Sequence, residues 1–569
     1  MKKWVFLGLR ILGSVLGIFN LLLFFALRPC WSGISSTLGY KGGGNEILFT
    51  LPILICILFL VVALADLILK KIFDKDWLQI VFLAIHAVFL GVIIYIIANG
   101  AIDYMRFVWP KFFVGLAAVS ALALVYLVIF VYPKTFLKDN LFFKYGMLGL
   151  SGALAVVLLL HLSINRITYK PVVYAVEDNY QIVFSTSSES TAWVEVGDKN
   201  YYDTYSGSTK KFSKVHKIEV PMAALDDAKH YTVHSQRTIY AGPFGGWLGR
   251  DISESVDFKP VNTADGIQYL SFSDIHMNDR VAAKTASYLE NVDFVVLAGD
   301  IISDIETVDD ANFTTLTAYE ITKGQVPVVY ARGNHDVKGR YAEELHKYVG
   351  AKGEDFYYTF YFQDIYGIVL DLGEDHDDDW WEYYGTAHYE DYQAKQLAFL
   401  EEEIAKGDFN HYPYHIAISH IPIPFINYRH NQVEVKKEMT RLLNMMDIDM
   451  YLCGHQHQIM IFEPGLIAPE ASPMNYNSAY KSGTYKGYLT DFNFPSFMVS
   501  KPGFTFADDP ALTGAPSHIG FYVDADLAAR KEVCSYYNSR GEKVDVMNMF
   551  AEKQYGDTIT IDLDTKVFS

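Results

Sequence analysis

Cysteine is scarce, with four in 569 residues, which excludes a disulfide-stapled scaffold. No internal repeat runs along the chain, and there is no Gly-rich phosphate loop of the nucleotide-binding type. Basic residues are also short in the larger part of the molecule. Residues 165–569 hold 34 Lys/Arg against 60 Asp/Glu, whereas residues 1–164 hold 13 against 6. A surface that acidic repels phosphate backbones and anionic headgroups, so nucleic acid is excluded as a partner. What the sequence has in quantity is apolar character, 51% of all residues, which excludes a disordered or low-complexity chain. At this length two to four domains are expected.

Five apolar runs near 5–27, 47–69, 77–98, 112–132 and 145–164 match the roughly 20 residues needed to cross a bilayer core. They predict an N-terminal α-helical transmembrane bundle over 1–165. Leu27-Arg28-Pro29 offers no small-residue cleavage site, so the first run reads as a retained helix rather than a signal peptide. Lys2, Lys3, Arg10, Lys70, Lys71, Lys75, Lys134, Lys138 and Lys144 outnumber Arg28, Lys41, Arg106 and Lys111 on the opposite side. The N-terminus is therefore expected in the cytoplasm, and the half after the fifth run outside it, as part of a multi-pass cell-membrane protein. Asp66 and His86 are the ionisable residues of interest in these runs. They form no ladder of the kind a transport pathway needs.

From 170 to 262 the pattern changes to short alternating runs, such as Tyr180-Gln-Ile-Val-Phe184 and Val215-His-Lys-Ile-Glu-Val220, separated by Gly, Asp, Asn and Ser. This predicts a small β-sandwich, fibronectin type III-like, with a spacer or substrate-shaping role. No metal or nucleophile cluster is evident within it.

From 265 to 569, five apolar strand-like runs each stop at metal-ligand residue types. Tyr269–Ser273 ends in Asp274-Ile-His276, Phe294–Ala298 in Gly299-Asp300, and Val326–Tyr330 leads to Gly333-Asn334-His335-Asp336. His415–Ser419 ends at His420, and Met450–Cys453 in Gly454-His455-Gln-His457. Continuous apolar runs suit strands buried on both faces, and α/β sheets bind ligands beyond the carboxyl ends of their strands. Imidazole and carboxylate together favour a pair of divalent or trivalent transition-metal ions, Fe, Mn or Zn, over Ca or Mg. Asp300 is placed to bridge two cations, which would clamp a phosphoryl displacement and make a hydroxide available near neutral pH.

The ordered set Asp-x-His, Gly-Asp, Gly-Asn-His-Asp, a strand-end His and Gly-His-x-His resembles the calcineurin-like metallophosphoesterases over roughly 265–505. The resemblance implies an α/β four-layer metallophosphoesterase sandwich. It also implies that Asp274, His276 and His457 hold one metal, that Asp300 bridges, and that Asn334, His420 and His455 complete the second position. His335 would contact the phosphate and protonate the leaving oxygen. A β-sandwich placed before such a domain is similar to the arrangement in purple acid phosphatases. That subfamily carries a tyrosine ligand three residues after the bridging aspartate; here the position is Ser303, so the resemblance does not extend to a tyrosinate–iron pair. What orients His335 is left open.

Between the third and fourth motifs, Asp371 to Glu382 reads as a solvated acidic loop before a helix, with a substrate-selecting aromatic and acidic rim as the second reading. Runs at 518–523 and 544–549 are expected to add C-terminal strands to the catalytic sheet. The function expected is a membrane-anchored, extracytoplasmic hydrolase of phosphate esters, the five runs hinting at a lipid-linked or envelope substrate. The alternative is a membrane sensor or partner-binding protein whose phosphoesterase domain binds without turnover.

Overall fold

The computed structural model describes residues 105–126, 141–242, 245–427, 432–477, 484–499, 519–548 and 553–569, with scattered positions between 15 and 98. The chain divides into two compact units, Met1–Ile164 and Asn165–Ser569.

The first unit contains helices α1 (Met105–Tyr126) and α2 (Leu141–Ser163). The Ser151 hydroxyl donates to the Ala121 carbonyl at 3.0 Å and ties the two together. Among the described residues no helix is long and apolar enough to cross a membrane. This corrects the expected five-helix transmembrane bundle. The sequence of α1 includes Arg106 and Lys111, and that of α2 includes Lys144 and His161. Apolar composition alone does not establish a spanning helix, and among the described residues none qualifies. The run at 47–69, most of 5–27 and 77–98, and Asp66 and His86 lie outside the described residues. The lipid-linked substrate rested on those runs alone and is not carried further.

The second unit is built on two sheets. Strands β1 (Ile167–Val176), β2 (Asn179–Val196), β3 (Ser213–Pro221), β4 (His230–Gly242) and β5 (Gly245–Asp257) come from the segment expected to form a separate sandwich. They do not stand apart. β1 runs parallel to β8 (Val328–Ala331), with Tyr174 opposite Val328, so these strands continue one 13-stranded sheet. Its centre is β6 (Ile267–Phe272), β7 (Phe294–Ala298) and β8, mutually parallel. Helix α3 (Asp279–Ala286) connects β6 to β7, and α4 (Val308–Thr322) connects β7 to β8. A capping box starts α4: the Thr307 hydroxyl accepts from the Asp310 amide, and the Asp310 carboxylate accepts from the Thr307 amide at 2.8 Å.

The second sheet has six strands: β9 (Tyr358–Phe362) pairs antiparallel with β10 (Ile365–Val369), and β10, β11 (Tyr414–Ile418) and β12 (Met450–Cys453) are again parallel. Helices α5 (Tyr389–Lys406) and α6 (Val433–Met445) make its crossovers. Tyr269, Val296 and Val329 from the first sheet share one buried core with Phe360, Ile416 and Leu452 from the second. Tyr366, Ala417 and Tyr451, on the other face of the second sheet, pack with Leu400, Met439 and Leu443 of the helices. The expected α/β sandwich of two packed sheets with helices outside is thus present. The run at 518–523 falls in β13 (Gly520–Asp526), which pairs antiparallel with β6. Within the run at 544–549, Val546–Asn548 pairs instead with Lys553–Gly556 in a separate two-stranded sheet. Cys453 and Cys534 are free and buried.

Two buried polar groups of this unit bear on its chemistry. Ser190 Oγ lies 3.0 Å from His216 Nε2, and His216 Nδ1 lies 2.8 Å from Asp203 Oδ2. Those are the spacings of an acid–base–nucleophile triad, which the sequence had not revealed. Ser190 and His216 are both 0% exposed, so no substrate reaches the hydroxyl. The trio instead supplies hydrogen bonds beside a register shift between β2 and β3. In the inter-sheet core, Glu532 accepts from the Tyr414 hydroxyl at 2.7 Å, and burial pushes its carboxyl up to about 8. Because the folded pKa is raised, the folded chain keeps a proton that the unfolded chain releases above about 4.5. The stability this confers is full below that pH and is lost as pH rises toward 8. Glu532→Gln is expected to remove that slope, which is at most ~1.4 kcal/mol per pH unit. Denaturant unfolding at several pH values in this window checks it, and parallel wild-type and variant profiles would refute it.

Candidate metal centre

The five strand tips expected from sequence meet in one crevice, and they come from both sheets. β6, β7 and β8 deliver Asp274, His276, Asp300, Asn334 and His335; β11 and β12 deliver His420, His455 and His457. Asp274, His276, Asp300 and His457 are all buried, and one ligand atom of each lies within 4.8 Å of all the others. His457 Nε2 is 3.1 Å from Asp274 Oδ1 and 3.1 Å from His276 Nε2. Asp300 faces both ways: its Oδ2 is 3.6 Å from His276 Nε2 and 3.2 Å from His420 Nε2.

Electrostatics explains why such a cluster calls for cations. Burial pushes the Asp300 carboxyl up, but His420, His335 and His276 outweigh it and hold the group well below the usual carboxylate range. Burial likewise raises Asp274, and His457 with His420 more than reverses it. His420 is the counterpart: burial lowers it, and Asp300 and Asp274 bring it up to about 10. Two buried carboxylates therefore demand positive charge in a space lined by imidazole nitrogens. His420 Nδ1 donates to the Ala298 carbonyl at 2.8 Å, which commits that nitrogen and turns Nε2, the atom beside Asp300, toward the cluster. This donor set fits transition-metal ions.

The remaining positions are placed as follows. Asn334 Oδ1 lies 3.1 Å from His455 Nδ1, which brings these two together beside the Asp300 cluster. His335 donates from Nδ1 to the Ser303 carbonyl at 2.6 Å, and its backbone N–H donates to Asp300 Oδ1 at 2.8 Å. A main-chain carbonyl, not a carboxylate, therefore orients His335. Ser303 Oγ is 3.3 Å from His276 Nδ1, so the residue standing where purple acid phosphatases have tyrosine contacts a cluster histidine instead. Asp336 is fully buried and accepts from the amides of Asp300 and Gly333 and from the Tyr330 hydroxyl. It fastens the Asn334 loop to the Asp300 loop, a role its motif position did not reveal.

The acidic segment is not a solvated loop at its start. Asp371, Glu374 and Asp375 are buried. Arg332 binds Asp371 through Nε and Nη2 at 2.7 Å each, with its guanidinium 4.2 Å over the Phe356 ring. Lys338 Nζ is 2.8 Å from Glu374, and His455 Nε2 is 2.7 Å from Asp375 Oδ2. Beyond it, Trp381 and Tyr384 are exposed.

The backbone here is strained. Asp274, His276, Asp300, His455 and His457 all have positive φ, at 53°, 43°, 53°, 76° and 54°. Side-chain-bearing residues rarely adopt this region, and each instance costs of order 1 kcal/mol or more.

Residues 267–459 match the family model for calcineurin-like phosphoesterases. Among solved structures the chain is similar to a purple acid phosphatase from yellow lupin (Lupinus luteus) seeds, at 12% identity and a TM-score of 0.45, covering 70% of this chain and 75% of that one. It is similar to PhoD at 10% identity and a TM-score of 0.39, covering 71% and 92%. A dimetal phosphatase from Danio rerio aligns at 12% identity and a TM-score of 0.31, covering 48% and 97%. No curated protein matches the chain. Residues 267–459 form a calcineurin-like metallophosphoesterase domain. The match covers about a third of the chain, and what it supports for these residues is a phosphoesterase domain acting on a phosphate ester.

Proposed function

We propose that Asp274, His276 and His457 hold one metal, that Asn334, His420 and His455 hold the other, and that Asp300 serves both. The observation that carries this reading is the position of Asp300, a buried carboxylate in contact with a histidine of each set. Two such ions supply charge neutralisation and a nucleophile drawn from water near neutral pH. The chain's own residues do the rest. The Ser303 carbonyl holds the Nδ1 proton of His335, which leaves Nε2 to exchange a proton with the ester oxygen. In the reaction a water oxygen forms a bond to phosphorus and gives one proton to solvent. The ester P–O bond breaks as the leaving oxygen takes a proton from Nε2 of the imidazolium form of His335, which solvent then restores; burial pushes the ring down to about 4, so that form is readily discharged. Asp336 keeps the two ligand-bearing loops in register throughout.

The test is metal content together with hydrolysis of p-nitrophenyl phosphate and bis(p-nitrophenyl) phosphate, for the wild type and His335→Ala. About two metals per chain are expected in both proteins. Turnover should fall about 10²–10⁴-fold in the variant, the usual share of a general acid. A wild type that takes up no metal after reconstitution would dismiss the reading, and an unchanged variant would dismiss the role of His335.

A further inference from the structure

We infer that Asp375 is a positioning residue for the second metal, one that fixes the tautomer and orientation of His455. This rests on the two-metal reading above and assigns a role to a carboxylate that none of the five motifs contains.

The His455 ring is contacted at both nitrogens. Nε2 is 2.7 Å from Asp375 Oδ2, and Nδ1 is 3.1 Å from Asn334 Oδ1. The residue's backbone N–H donates to Asp274 Oδ2 at 3.0 Å. A neutral imidazole has one N–H donor and one bare acceptor nitrogen. A carboxylate against Nε2 keeps the proton there, so Nδ1 presents its lone pair toward the Asn334 oxygen. Two acceptors then converge 3.1 Å apart, an arrangement that is repulsive until a cation lies between their lone pairs. A carboxylate on the outer nitrogen of a ligating histidine also makes the inner nitrogen a stronger donor.

Asp375 is itself built into place. It is 4% exposed, and the segment leading to it is pinned by the Arg332–Asp371 and Lys338–Glu374 pairs and by Gln393, which donates to the Leu372 carbonyl at 2.7 Å. Arg332 and Lys338 flank Asn334 in sequence. The strap over 371–375 is therefore tied to the same loop that supplies the amide oxygen facing His455, and the distance between the two partners of His455 is fixed by ion pairs on either side.

The full chain, stripped with a chelator, would be titrated with Mn²⁺ alone, following bound metal by calorimetry and elemental analysis and folding by thermal unfolding. In Asp375→Ala the first equivalent should bind as in the wild type and the second about 10–100-fold more weakly, the usual effect of losing a histidine's outer partner. Asp375→Asn should fall between, because an amide oxygen still accepts the Nε2 proton but brings no charge. Wild-type affinity for both equivalents in both variants would overturn the inference. So would loss of both equivalents with a lowered unfolding temperature, which would make the strap a folding element. A wild type that binds no Mn²⁺ would overturn the two-metal reading and this inference with it, and is told apart because the unsubstituted protein fails.

Discussion

Asp300→Asn is expected to lower kcat by about 10³-fold or more on any phosphate ester the protein accepts. The substitution keeps the shape of the side chain and an oxygen to accept the His335 amide hydrogen, now donated to Oδ1 at 2.8 Å. What it removes is the charge of a carboxylate that lies 3.2 Å from His420 and 3.6 Å from His276. Since Asp300 touches a histidine side chain of each half of the ligand set, its loss should reduce bound metal as well as rate. The accompanying histidines lose their counter-charge together, so the deficit should exceed that of His335→Ala, which leaves every metal donor in place. Steady-state kinetics with elemental analysis decides it. A variant within tenfold of the wild type, carrying its full metal complement, would remove Asp300 from the centre of the mechanism.

Gly333→Ala should be nearly as damaging although it deletes nothing. A Cβ at this position would lie 2.2 Å from Asp300 Oδ1 and 2.3 Å from the Asp300 amide nitrogen, far inside van der Waals contact. The obstructing atoms are a buried carboxylate and main chain, neither of which yields cheaply. Either the Asn334 loop or Asp300 must shift by about 1 Å, a displacement that costs about 10²-fold in rate where reacting groups must be aligned. The unfolding temperature should also drop, because Gly333 donates its amide to Asp336 in the network joining the two loops. Gly245→Ala is the control, since a Cβ there meets nothing within 4 Å. Equal turnover in the two variants would mean that the loops tolerate far more movement than their packing indicates.

How much of this was legible before folding depended on what each residue type says about itself. The motif ligands stood out because aspartate and histidine at the end of an apolar run have few other uses. The sheet to which each run belongs was not legible, because buried parallel strands such as Phe294–Ala298 and Met450–Cys453 read alike whichever layer they join. The strands from 167 to 257 were recognisable by their alternation, yet their union with the catalytic sheet turns on the parallel pairing of Tyr174 with Val328, which leaves no local mark. Asp375 was hidden among neighbours of its own kind from Glu374 to Asp379; which of them is buried is decided by Arg332 and Lys338, some forty residues earlier. The group that orients His335 is a main-chain carbonyl, and every residue has one.

The left-handed backbone of Asp274, His276, Asp300, His455 and His457 has a consequence for anyone selecting this protein for durability. Glycine is the residue that those torsions favour, and exchanging any of the three histidines for it would relieve local strain, whereas the two aspartates, held ionised by those histidines, would lose a stabilising pairing in the exchange. A search for heat resistance carried out blind to turnover would therefore drift toward glycine at those histidines, positions that define the chemistry. The hardiest descendant of this sequence would be an inert one, and any useful gain in robustness has to come from surfaces distant from the crevice.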